Sequence, residues 1–111
     1  MSLSHITTRL QQDLQLIYER FQKAREGYHF DFNHEIKPFV EDIDNHLEIF
    51  LKYETSVVQH PYFNHLQYQK LIELIKEISL SCHHPKTSLK IFMEQYKTIQ
   101  HLLKLLLEME D

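Results

Sequence analysis

Residues 89–106 read LKIFMEQYKTIQHLLKLL, and in this stretch Leu89, Phe92, Tyr96, Ile99, Leu103 and Leu106 recur at steps of three and four. That spacing returns side chains to one side of a helix, so the stretch is predicted to be amphipathic and α-helical. The same rhythm runs through the rest of the chain. Leu3, Ile6, Leu10, Leu14, Ile17, Phe21 and Ala24 mark a first helical face. Val40, Ile43, Leu47, Phe50 and Val57 mark a second, and Tyr68, Leu71, Ile75, Ile78 and Cys82 a third. Gly27, Pro38, Pro61 and Pro85 are the only glycine and prolines, and they cut the chain into four pieces of similar length. No strand-period segment, internal repeat or low-complexity tract interrupts the pattern. Short connections between consecutive helices favour antiparallel neighbours, so the expected fold is all-α, an antiparallel up-down-up-down four-helix bundle forming a single domain over residues 1–111.

Composition limits what such a chain can do. Its 111 residues suffice to bury roughly two thirds of the unfolded surface without metal or disulfide staples. A hydrophobic fraction of 42% with 25% charged residues is that of an ordinary globular domain rather than a disordered one. Lys and Arg number 12 against 16 Asp and Glu, a net charge of −4, and the cations are scattered singly. Nucleic-acid binding by phosphate neutralisation is therefore not expected. The nine histidines would carry the net charge from −4 to +5 in acid, a consequence of composition alone. Cys82 is the single cysteine, and no charged segment followed by an apolar one opens the chain. Both point to a reducing cytoplasm. The longest apolar run, in HLLKLLLEM, is far shorter than the roughly 20 residues a membrane span needs.

Local signals refine the helix boundaries. Gly27 stands where a left-handed residue closes a helix. Asn64 and Gln67 have the spacing of a capping box. Pro38 is expected to open the second long helix, since proline in a first turn forgoes no hydrogen bond whereas inside a helix it costs about 3 kcal/mol. The residue before it, Lys37, is biased away from helical geometry, so DFNHEI is expected to form a separate short turn capped by Asp31 or Asn33. Phe30, Phe32 and Ile36 would plug that end of the molecule.

The segment FDFNHEIKPFVEDID, with Phe32, Ile36, Lys37 and Pro38 at the entry to its second helix, resembles the YppE-like family of small proteins from Gram-positive bacteria. The histidine pair ahead of KTSLKIFMEQYKTI is similar to that family's third connection. The resemblance implies an antiparallel four-helix bundle and no particular activity, cofactor or catalytic residue.

Motifs for catalysis are sparse. A carboxylate-bridged metal pair in a bundle requires Glu-x-x-His on each of two helices, and only Glu26 to His29 has that spacing, interrupted by Gly27. There is no glycine-rich phosphate loop, no His-Glu-x-x-His and no cysteine pair. His5 and His101 fall opposite the apolar faces of their helices, His46 falls on a flank, and Cys82 shares the apolar face as a buried inert thiol. In the expected topology the first and third connections share one end, which gathers His29, Asp31, His34, Glu35, His83 and His84. Imidazole and carboxylate suit zinc or a similar divalent ion, provided they converge to bonds of about 2.0 to 2.2 Å. Polar side chains also collect on loops for no reason beyond solvation.

Two further expectations concern the helices. Glu54 lies on the face of Leu47, Phe50 and Val57, where a carboxylate needs a partner, and Tyr68 is at the level to provide a hydrogen bond, with Arg9 near that layer. Leu105 points away from the core, so with Leu102 and Met109 it could form a patch for a second copy of the chain or for another protein's helix. The reading as a whole is a cytoplasmic, non-enzymatic protein, without a cofactor, that acts through protein contacts. Its alternative is a metal-binding bundle using the histidine and carboxylate end.

Overall fold

The computed structural model describes residues 2–61 and 63–109, of Met109 the backbone only. These residues form five α-helices and no strand: α1 (Leu3–Arg25), α2 (Lys37–Leu51), α3 (Glu54–Val58), α4 (His65–Ser81) and α5 (Leu89–Met109). Four of them are long, as the periodicity requires, and α3 is a little over one turn. The long helices pack chiefly in four pairs, α1 against α2 and α5 and α4 against α2 and α5, with a slighter contact between α1 and α4.

The apolar stripes face inward together. Ile6, Leu10, Leu14, Ile17, Phe21 and Ala24 of α1 are buried, as are Ile43, Leu47 and Phe50 of α2. Tyr68, Leu71, Ile75 and Ile78 of α4 and Phe92, Ile99, Leu103 and Leu106 of α5 complete the core. Phe21 and Phe92 stack with ring centroids 3.8 Å apart, joining α1 to α5. Burying a large apolar side chain contributes about 1.5 to 3 kcal/mol, so this common interior is the main source of stability. Leu89 departs from expectation: it is half exposed, because it is the first residue of α5 and has no preceding turn to pack beside.

Sequence punctuation acts where the chain needs it. Ser2 caps α1 by accepting from the His5 N–H. At its other end Gly27 adopts φ +106°, Tyr28 N–H donates to Lys23 O at 3.0 Å and Gly27 N–H to Ala24 O at 3.1 Å. These two bonds are a Schellman closure, which satisfies carbonyls that a helix end otherwise leaves bare. Asn64 and Gln67 form the expected capping box on α4.

Two boundaries differ from the sequence reading. Phe32–Ile36 forms a π-helical turn capped by Asp31, and it runs directly into α2, with Lys37 itself helical at φ −58° and ψ −50°. The turn bonds Ile36 N–H to Asp31 O and Lys37 N–H to Phe32 O, five residues back. A turn wider than an α turn eases the clash of the Pro38 ring with the preceding backbone, which offsets the bias on Lys37. The second helix also stops at Leu51 rather than continuing to Val57. Lys52 and Tyr53 bond only three residues back, to Ile49 O and Phe50 O, and tighten the end. No glycine or proline signals that break.

Candidate functional site

At the Gly27 end, Arg20 is the organising side chain. Its Nη1 donates to Glu35 O in the π turn and to His83 Nε2 just beyond α4, both at 3.0 Å. The guanidinium lies over the Phe39 ring, 4.0 Å from its centroid, and 5.2 Å from that of Phe30. One cation thus ties α1, the π turn, the start of α2 and the end of α4. Burial lowers its pKa from the ordinary value, yet a guanidinium remains charged.

The contact also settles the tautomer of His83. A guanidinium can only donate, so Nε2 of His83 is an unprotonated acceptor, and Nδ1–H donates to Leu80 O at 3.2 Å. The Phe30 and Phe39 rings meet this imidazole edge to face, at 4.8 and 5.4 Å. Burial, assisted by Arg20 and His84, pushes the His83 pKa down to about 4. Beside it, burial pushes the Cys82 thiol up to about 12, and its Sγ donates to Ser79 O. A thiol so held is a packing group rather than a nucleophile.

The six residues singled out from the sequence occupy this end but do not converge as a ligand set. Asp31 caps the π turn through its Oδ2, which accepts from the backbone N–H of His34 and sits 2.7 Å from that residue's Nδ1. These bonds hold the Asp31 carboxyl below the usual range. Glu35 accepts from Asp31 N–H at 2.9 Å and from the Tyr28 hydroxyl at 2.7 Å, and its pKa is likewise lowered. His29 and His84 are exposed, whereas His83 is buried. Among the described residues, no three His, Cys, Asp or Glu side chains are disposed to hold a metal ion.

A second polar cluster lies between α1 and α2. His46 Nδ1 donates to Asp13 Oδ2 at 2.6 Å, with both side chains nearly buried, and His46 Nε2 is 3.9 Å from Asp42. Burial raises the Asp13 pKa, while His46 and Arg9 oppose that rise. His46 is therefore an interior residue and not the flank residue that helix phase suggested. The spacing did carry a signal: Asp13 is three residues after Leu10 and four before Ile17, and His46 has the same relation to Ile43 and Phe50. Arg20 sits likewise between Ile17 and Ala24. Polar residues at core spacing mark these contacts, although their partners are not evident from the spacing.

Glu54 and Tyr68 do not bond to each other. The Tyr68 hydroxyl donates to Phe50 O at 2.9 Å, and Glu54 instead meets His65 Nδ1 at 2.7 Å near the surface. The break at Lys52 and Tyr53 moves Glu54 off the face it was expected to share. At the chain's other end, Leu102 and Leu105 are partly buried against the core, and the Met109 side chain lies outside the described residues. Among the described residues, the most exposed large apolar side chains are Leu66 at 74%, Phe32 at 57% and Ile91 at 56%.

The all-helical chain falls within a recognised bacterial class. It belongs to the family described as a bacterial domain of unknown function (DUF1798), which it matches over residues 7–109. A solved member of that family from Staphylococcus aureus subsp. aureus superposes with a TM-score of 0.93 at 26% identity, covering 96% of this chain and 93% of that one. A protein of unknown function from Listeria innocua has the same fold, with a TM-score of 0.90 at 23% identity and coverage of 97% and 90%. No curated protein matches. Among the described residues, no helix is long and apolar enough to cross a membrane.

Proposed function

We propose that this chain is a YppE-like member of its family, an antiparallel four-helix bundle of the cytoplasm that works without catalysis, through contact with another protein. The pairwise packing of α1, α2, α4 and α5 supports the bundle, as does the meeting of the first and third connections at Phe30 and His83. The observation that carries the functional reading is the contrast between interior and surface. The inward faces are closed by large apolar side chains, while Leu66, Phe32, Ile91 and Leu89 are left half or more exposed. Solvating large apolar groups is unfavourable, and a partner that covered them would gain burial energy.

Site-specific photo-crosslinking in living cells tests this reading. A photoreactive residue at Leu66 or Ile91 is expected to capture a discrete protein, and one at the exposed polar position Gln100 is not. Failure to capture a specific product from either apolar position would remove the proposal.

A further inference from the structure

We infer that Arg20 forms a binding site for a small oxyanion, the phosphate or carboxylate group of a small molecule, in the notch along the outer side of α1. A partly buried guanidinium is ordinarily neutralised by a carboxylate, because removing a charge from water is costly. Arg20 is half-buried, yet both acceptors of its hydrogen bonds are neutral: the Glu35 carbonyl and the His83 imidazole. Ion pairs among the described residues all involve histidine, and none reaches Arg20. The carboxylate of Glu35, whose own backbone carbonyl takes one of these bonds, is turned back to Tyr28 and the Asp31 N–H. The Glu35 carboxylate therefore supports the Arg20 charge through space, but among the described residues no carboxylate closes on the guanidinium as an ion pair.

Its geometry suits an incoming oxyanion. Nη1 makes both bonds and the flat face rests over Phe39, so the Nε and Nη2 groups retain donors along an edge of the kind that receives two oxygens side by side. Arg20 lines an open notch of about 530 Å³ together with Leu16, Glu19, Gln22, Lys23 and Glu26. Lys23 brings a second cation to the notch three residues along the same helix. Glu19 and Glu26 cancel long-range attraction, so selection falls to contact at the Arg20 edge. The site is thus expected to be of modest affinity and to depend on the guanidinium itself. This inference does not rest on the protein-contact reading.

The test follows the side-chain Nε–H resonances of Arg9, Arg20 and Arg25 while isotope-labelled protein is titrated with inorganic phosphate or, separately, acetate at constant ionic strength. A saturable shift confined to Arg20, with a rise in melting temperature that Arg20→Gln abolishes, is the expected result. Saturation by phosphate alone would assign a phosphate-bearing ligand, and saturation by acetate alone a carboxylate. No saturable shift in either titration, or equal movement of all three arginines, would overturn the proposal. The wild-type pattern decides the matter even if Arg20→Gln fails to fold.

Discussion

Asp13 and His46 face each other across the α1–α2 seam at 2.6 Å, and the side chains keep only 4% and 11% of their exposure. Removing one partner of such a pair leaves the other polar group buried, which typically costs 3–5 kcal/mol, whereas replacing both by apolar groups is often close to neutral. His46→Leu is therefore expected to destabilise the chain by about 3 kcal/mol or more, and Asp13→Leu combined with His46→Leu to recover most of that loss. Urea denaturation of the two single variants and the double variant measures the coupling. Additive losses would show that the pair is not a unit.

His83 makes stability depend on pH in a defined direction. Its pKa is lowered in the fold to about 4 from an ordinary 6.5, so the folded chain resists the proton that the unfolded chain accepts. Stability from this group is complete above pH ~6.5 and is lost as the pH falls toward about 4, levelling off below. A lowering of this size contributes on the order of 3 kcal/mol. His83→Gln, which does not titrate, is expected to flatten the denaturation midpoint over that range relative to wild type. Parallel curves for the two proteins would count against the Arg20–His83 contact.

Tyr68 and Glu54 should respond differently to conservative substitution. Tyr68→Phe removes a buried hydrogen bond to Phe50 O and is expected to cost about 1 kcal/mol. Glu54→Gln alters only a partly exposed contact with His65, for which exposed pairs set a scale of roughly 0 to 1 kcal/mol. Chemical denaturation near neutral pH should rank Tyr68→Phe as the more damaging change.

Gly27→Ala isolates a backbone requirement. No atom lies within 4 Å of where the new methyl would stand, but the residue would keep φ at +106°. A loss of about 1 kcal/mol is expected from the strained conformation alone, read as a lowered melting temperature. An unchanged melt would mean that the Schellman closure had given way to another helix ending.

Much of this architecture is legible in the residues themselves. The apolar spacing of Ile6 to Ala24 and of Phe92 to Leu106 anticipates both buried faces, while Gly27 and the Asn64–Gln67 box mark helix ends through their local chemistry. The break after Leu51 was not legible, since Lys52 and Tyr53 carry no helix-breaking residue. The end cluster was legible only in part. His83 does meet the first connection, through the Phe30 ring and through Arg20 rather than through a shared ion, while His29 and His84 stay exposed and Asp31 and Glu35 satisfy their own turn.

By itself, then, the sequence determined which segments are helical, where most of them begin and end, and which faces are apolar, because these depend on neighbours within a few residues along the chain. Only the tertiary structure decided that Asp13 meets His46, that Tyr68 reaches Phe50 and that Arg20 holds His83. Each of these contacts joins different helices or connections, and its partner is chosen by how the apolar faces pack rather than by any local spacing.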